Sequence, residues 1–395
     1  MSDPIFSELF VGETLLKWQV AHELSVRLGD EGLIVSDSPQ YNWHLLRWHA
    51  AELVYRLVRV KCVLKAAPAA TMNFYVHHFG SIDVAEISLD GTIVNDGITR
   101  YITVSRADDG SLEIELEFLN CHPTLSIGCS DNRNPIYRGS GREQFIIARI
   151  EVEARDATPE LSQVPEDERI RLVDVGGAEG LQLKWMLRAG RITPVMIEPI
   201  PGEAESLRRT IGRIPGARVI ESALAHTTGR RMLNIAAAAG CSSLRTPNHG
   251  LLDRYSIGHI FAVTRTQEVE CTRYDELFHR QLVPAPDAIK VDVQGFEYEV
   301  LLGFGQLLGT CLGIELECHF YPVYRGQKLI GEIASFLDDF GFVLRDLRNV
   351  PNFDGDAIEF DAFFTKRREE VLSLSHPART KFALLTEVWQ LSPHF

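Results

Sequence analysis

The feature that most constrains this chain is a change of hydrophobic period between Asp156 and Arg169. From about Tyr55 to Val152 short β-rich runs follow one another, among them "YRLVRVKCVLKA", "TMNFYVHHF", "SLEIELEFL" and "FIIARIEVE", with Asp90-Gly91, Asp96-Gly97 and Asp109-Gly110 as turns. Leu112, Ile114, Leu116 and Phe118 alternate with Glu113, Glu115 and Glu117, which gives one face to a core and the other to water. Strands so spaced, with no helical period, predict an antiparallel sandwich. From Ile170 onward strand-like runs alternate with amphipathic helical ones: "IRLVDVGG" before "LQLKWMLRAG", "TPVMIEP" before "GEAESLRRTIGRI", "DAIKVDVQG" before "EYEVLLGFGQLL". That alternation predicts a parallel sheet with helices on both faces. "FVLRDLRN" and "AIEFDAFFTKR" follow with no helix between them, which predicts an antiparallel last strand.

The boundary is "DATPELSQVPEDER", which carries two prolines and clustered acids without periodicity. The expected organisation is a front domain over residues 1–155, a linker over 156–168, an α/β domain over 169–368 and a helical tail over 369–395. A chain of 395 residues is longer than one core usually serves. Ahead of the sandwich, "SELFVGETLLKWQVAHELSVRLG" has helical spacing and is expected to form a helix beside it. The tail could cap either domain or join two chains into a homo-oligomer.

Charge excludes one class of partner. With 40 Lys+Arg against 54 Asp+Glu the formal charge is −14, whereas gripping a nucleic acid needs a basic face. The start, "MSDPIFSELFVGETLLKW", lacks the basic region of a signal peptide, and no apolar run is long enough to span a bilayer. The seven cysteines are scattered, with no C-x-x-C pair, and read as reduced core residues of a cytoplasmic protein.

"IRLVDVGGAEG", Ile170–Gly180, decides among the ligands of an α/β sheet. A phosphate-binding P-loop needs Gly-Lys-Ser/Thr, and here Gly180-Leu181-Gln182 follows. A dinucleotide fingerprint needs glycine where Ala178 and Leu181 stand. What fits is Asp174-x-Gly176-x-x-x-Gly180: an acid near a strand end, then a turn free of side chains. Gly176 and Gly177 are expected to let a ligand lie against the main chain, and Gly180 to let the helix approach the strand. Glu198 ends the second strand-like run, where a carboxylate can accept both hydroxyls of a ribose. Glu179 would repel phosphate, which favours a sulfonium cofactor over a nucleotide sugar.

"VDVGGAEG", "IEP", "ESALAHTTG", "SSL", "DAIKVDVQGFEYEVLLG" and "GIELECH" stand in the order seen in the FkbM family of S-adenosylmethionine-dependent methyltransferases. The chain resembles that family from about Arg169 to Lys366. The resemblance implies a seven-stranded class I methyltransferase sheet, Rossmann-like with an antiparallel last strand, and O-methylation of sugars or polyketide-type hydroxyls. It also implies that Asp174, Gly176 and Gly180, with Gly177, line the methionine part of the cofactor, that Glu198 holds its ribose, and that Ser222 and Ala223 meet the adenine.

A sugar hydroxyl is a weak acid, so its methylation needs a base or a metal. Asp292, Glu297, Glu317 and His319 fall at or just beyond the carboxyl ends of strands, where ligands of open α/β sheets bind. His319 is the expected base, with Asp292 and Glu297 orienting the acceptor; alternatively Asp292, Glu297 and Glu317 hold magnesium. Lys290, inside the strand, is expected to pair with a neighbouring acid. "DGD", Asp354–Asp356, reads as a surface turn rather than a metal site.

The front region resembles jelly-roll carbohydrate-binding modules, most of all in "YRGSGREQFIIARIEVE". Trp43, Trp48, Tyr75, His77 and His78 could stack on a sugar or pack in its core. The expected partner is a sugar or glycan acceptor, on a surface-glycan precursor or glycosylated metabolite. The alternatives are an inactive glycan-binding scaffold and a nucleotide-sugar-modifying enzyme.

Overall fold

The computed structural model describes residues 6–22, 24–68, 70–78, 82–120, 124–131, 136–157, 161–178 and 180–393. The chain divides into two compact units, Met1–Pro159 and Glu160–Phe395.

In the first unit two antiparallel sheets share a core. One is built around the long strand Glu143–Asp156, which pairs with Phe6–Val11, Gly32–Ser36 and Arg56–Ala66. The other runs from Ile136–Arg138 through Tyr41–His49, Thr124–Ser130, Asn73–His78 and Ile82–Ile87 to Ile93–Asn95. Val58, Val60, Cys62 and Leu64 of the first sheet meet Phe74, Val76 and Ile127 of the second. Asp37 explains the glycine-rich turn before the long strand: its carboxylate accepts hydrogen bonds from the Ser140 and Arg142 backbone N–H groups at 2.9 and 3.0 Å.

Two local expectations are corrected here, and one alternative is decided. The opening segment forms strands at Phe6–Val11, Gln19–His22 and Ser25–Gly29, joined in part by a short 3-10 turn at Gly12–Lys17, and no α-helix. Its buried residues, Phe10, Leu15, Trp18 and Leu24, are spaced too unevenly for one helical stripe, and edge pairing with Glu143–Asp156 offers the backbone a ladder instead. Glu117, expected in water, is buried because Arg59 and Arg155 both fold onto it. Tyr75 and His77 are buried and stacked on one another, and Trp48 packs on Phe10 and Trp18, so these three serve packing. The side chains of Trp43 and His78 lie outside the described residues.

The second unit holds a seven-stranded sheet, whose strands we number along it in chain order: β1 (Ile170–Val175), β2 (Ile192–Ile197), β3 (Arg218–Ile220), β4 (Ala288–Val291), β5 (Gly313–His319), β6 (Phe342–Val350) and β7 (Glu359–Lys366). Their spatial order is β3-β2-β1-β4-β5-β7-β6. All neighbours are parallel except β7, which runs antiparallel to both β5 and β6. Helices α1 (Leu183–Met186), α2 (Pro201–Ile211), α3 (Glu297–Phe304) and α4 (Ile330–Asp338) lie in the crossovers. A three-stranded sheet of Ala223–Leu224, Gly229–Ala236 and Val263–Thr272 is inserted between β3 and β4.

Register across the large sheet places charge in rows. Asp174 of β1 lies beside Lys290 of β4, and Lys290 beside Glu315 of β5. Side chains two apart on a strand share a face, so Asp292, Glu317 and His319 continue those rows toward the carboxyl ends. Opposite them β7 sets Asp361 against Glu317 and Glu359 against His319.

The tail belongs to this unit. Helix α5 (His376–Val388) buries Phe382, Leu384 and Leu385, Lys381 Nζ reaches Asp287 at 2.9 Å, and Trp389 covers Gly313, where a side chain would meet its ring at 2.6 Å. Among the described residues no helix is long and apolar enough to cross a membrane.

Candidate active site

Two confluent cavities open at the carboxyl ends of β1, β2, β4 and β5. The first is lined by Ile197, Glu198, Ser222, Ala223, Leu244 and Phe296 among others. The second, of about 370 Å³, has Lys290, Asp292, Glu317 and Glu359 at the sheet and Ile257, Ile260 and Phe261 opposite them. Gly176, Ala178, Gly240, Asp292 and Gln294 line both.

The glycine turn works differently from the sequence expectation. Gly176 has φ +83°, and a Cβ there would lie 1.9 Å from the Asp292 carbonyl oxygen, so glycine lets the turns after β1 and β4 touch. Gly177 lines neither cavity; a Cβ there would meet Met196 at 2.5 Å. Gly180 has φ +86° with nothing within 4 Å of a Cβ, so it is required by backbone conformation and not by helix approach. Glu179 is outside the described residues.

Glu198, just past β2, is buried, and its Oε1 accepts the Ile200 N–H at 2.8 Å. Burial pushes its carboxyl up to about 7. The Ser222 hydroxyl lies 3.0 Å from both the Ala223 and Glu270 carbonyl oxygens, so its proton is spent on backbone while the residue still lines the first cavity.

Asp174 does not line either cavity. It is fully buried, Lys290 Nζ stands 3.5 Å from its Oδ1, and burial raises its carboxyl above the usual range despite that cation. Burial alone would lower the Lys290 ammonium, but Asp174, Asp292 and Glu315 around it hold it above the ordinary lysine range. Lys290 is therefore a cation set between Asp174 behind and Asp292 in front, where Oδ2 is also 3.5 Å away.

The four expected catalytic residues separate into two pairs. Asp292 and Glu317 line the second cavity. Glu297 does not: at the start of α3 it is 2% exposed, and its Oε1 accepts the Val293 and Gly295 N–H groups at 3.2 and 3.0 Å. It caps a turn, so Asp292, Glu297 and Glu317 do not form a magnesium set. His319 lies behind Glu317 and Glu359, its side chain wholly buried, and lines neither cavity. Its Nδ1 is met by Gln327 Nε2 at 3.2 Å, and Gln327 Oε1 accepts the Tyr324 N–H at 2.5 Å. The amide thus presents a donor to Nδ1 and leaves the ring proton on Nε2, which withholds the nitrogen that a general base would need.

Gln294, Glu359 and Asn352 escaped the sequence reading. Gln294 holds φ +59°, rare for a residue with a side chain, and its Nε2 donates to both Glu317 oxygens at 2.8 and 3.0 Å and to Asp292 Oδ1 at 3.1 Å. Asn352 Nδ2 donates to Glu359 Oε1 at 3.0 Å. Glu317 is held well above the usual carboxylate range by burial and then by Asp292 and Glu359. The "DGD" turn anchors the wall opposite: Asp354 Oδ2 accepts the Ser256 N–H at 3.0 Å, and Asp356 Oδ2 the Tyr255 hydroxyl at 3.1 Å.

No curated protein sequence matches the chain. Magnesium protoporphyrin IX methyltransferase from Synechocystis, solved with bound SAM, is 9% identical over 53% of this chain and 76% of that chain, with a TM-score of 0.28. Fibrillarin from Aeropyrum pernix is 11% identical over 74% of this chain and 99% of that chain, with a TM-score of 0.30. A xylan-binding domain from Paenibacillus barcinonensis is 10% identical over 38% of this chain and 94% of that chain, with a TM-score of 0.24. Scores this low carry no argument. Residues 174–344, from the buried Asp174 of β1 into β6, match the family model of the methyltransferase FkbM domain.

Proposed function

We propose that the chain is an S-adenosylmethionine-dependent O-methyltransferase acting on a sugar hydroxyl. The observation that carries the reading is the position of Asp292, which lines both cavities and so stands where a cofactor in the first would meet an acceptor in the second. In the first cavity Glu198 takes the ribose hydroxyls, and Ala223, Leu244 and Phe296 supply an apolar bed for adenine. Asp292 and Gln294 line both cavities, and Lys290 lines the second.

The acceptor oxygen attacks the sulfonium methyl in line. Bound S-adenosylmethionine would supply the methyl group and keep the C–S electron pair on sulfur as the C–O bond formed, and Asp292 would take the hydroxyl proton. Asp292 suits this task better than Glu317, because its side chain is 35% exposed against 11%. Holding the acceptor in that geometry supplies much of the rate. The front unit, in this reading, contacts the glycan that bears the acceptor or joins two copies of the chain.

The test is calorimetric titration with S-adenosylhomocysteine of the full chain and of Glu198→Ala, followed by labelled methyl transfer to a panel of sugars. Micromolar binding lost in the variant, with label in a sugar methyl ether, is expected. A folded protein that binds no S-adenosylhomocysteine sinks the proposal.

A further inference from the structure

Glu317, His319 and Glu359 bring one donor atom each to within 4.8 Å of one another. The sheet enforces this: His319 and Glu359 are directly paired across β5 and β7, and Glu317 is two residues back on the same face as His319. The carboxylates line the second cavity, while the imidazole closes the set from behind.

The imidazole is the independent pointer to a ligand. His319 Nε2 is buried and has no hydrogen-bond partner among the described residues. It lies 3.9 Å from Glu317 Oε1 and 3.7 Å from Glu359 Oε2, beyond hydrogen-bond range of both. An unsatisfied buried nitrogen is costly, so its place between two carboxylates calls for a reason. Asn352 occupies Glu359 Oε1 and leaves Oε2 turned to the imidazole.

We propose that Glu317, His319 and Glu359 bind one divalent transition-metal ion at the floor of the acceptor cavity. Ligand atoms around a tetrahedral ion with bonds of ~2.05 Å lie ~3.3 Å apart. The imidazole lies 3.7 and 3.9 Å from the two carboxylates and the whole set lies within 4.8 Å, so side-chain rotation must draw the ligands together as the ion binds. One imidazole with two carboxylates suits manganese, cobalt or zinc, whereas magnesium and calcium favour oxygen alone. Because two of the ligands line the cavity, the remaining coordination position faces the acceptor, where an ion lowers the pKa of a bound hydroxyl.

Gln327 makes the proposal specific. A metal-bound Nε2 requires the proton on Nδ1, usually held there by an acceptor. Gln327 offers Nδ1 a donor, because its carbonyl is committed to Tyr324 N–H. Binding must turn this amide, so Gln327 holds affinity down. A glutamate at that position accepts from both Tyr324 N–H and Nδ1–H and removes the conflict.

The experiment is titration of chelator-stripped full chain with Mn2+ by electron paramagnetic resonance and with Zn2+ by calorimetry. One ion per chain is expected, with affinity weakened at least 100-fold in Glu359→Gln and tightened roughly 10-fold in Gln327→Glu. Circular dichroism and a cooperative thermal transition serve as the folding control for each variant. No bound ion at millimolar Mn2+ or Zn2+, unchanged affinity in a folded Glu359→Gln protein, or weaker binding by Gln327→Glu each overturns the proposal. The methyltransferase reading supplies only what the ion does for the acceptor, and its own titration with S-adenosylhomocysteine fails or succeeds separately.

Discussion

Gly176 and Asp292 touch through backbone alone: the side-chain position of one is filled by the carbonyl oxygen of the other, 1.9 Å from where a Cβ would stand. Gly176→Ala combines that collision with a left-handed backbone, and we expect it to cost about 3 kcal/mol or more. Gly180→Ala shares the backbone strain without the collision, at about 1 kcal/mol. Urea unfolding of both variants checks the contrast, and equal costs would contradict the contact.

Glu198 should make cofactor binding depend on pH. Ribose hydroxyls donate to the ionised carboxylate, whose pKa is pushed up to about 7 by burial. S-adenosylhomocysteine affinity is therefore expected to rise with pH, by at most roughly tenfold per unit below 7, and to level above it. Glu198→Gln should bind more weakly with a flat profile between pH 6 and 8. A wild-type affinity that is level over the same range removes the carboxylate from the site.

Glu297 predicts a stability effect rather than a catalytic one. Burial raises its carboxyl from the ordinary 4.5 to about 7, so the folded state holds a proton that the unfolded state releases. The stability it contributes is full below pH 4.5 and is lost as pH rises through about 7, with an upper limit on the order of 3 kcal/mol. Glu297→Gln should lose that component, which denaturant unfolding at pH 5 and pH 8 would show as a smaller difference than in the unmodified chain.

Lys290→Met should be severe. It strands Asp174, fully buried, without its cation, and removing one member of a buried ion pair typically costs 3–5 kcal/mol. Chemical denaturation at pH 7 checks the size. The double variant Lys290→Met, Asp174→Asn should recover a large part of it, and no recovery would mean the pair is not what holds the row together.

Trp389→Ala removes a wholly buried ring from Gly313 and Phe363 and is expected to cost about 3–5 kcal/mol. A thermal midpoint within a degree of the parent would show that the tail is dispensable to the second unit.

What could be read in advance was whatever local spacing decides. The alternation at Leu112–Phe118 and the change of period after Asp156 are statements about neighbours in sequence, and Asp292 and Glu317 were found because strand ends are local. Gln294 stood in plain view within "VDVQGFEYEVL", but its part depends on a left-handed backbone that composition does not reveal. Glu359 could not be paired with His319, 40 residues earlier, until the antiparallel register of β7 was known. The opening segment misled because its apolar count resembles a helix while its partner, Glu143–Asp156, lies far along the chain. Glu297 misled because a carboxylate at a helix start serves a turn as readily as a substrate.

The insertion of β7 between β5 and β6 also sets an order of assembly on the ribosome. Every residue named in the first cavity lies before Tyr298, so its lining is synthesised before β5, β6 and β7. Glu359 belongs to a strand that must slot between two others already synthesised, so the second cavity gains its final carboxylate only once β7 has emerged. Until β7 has emerged, the second cavity lacks part of its lining although every lining residue of the first has already been made.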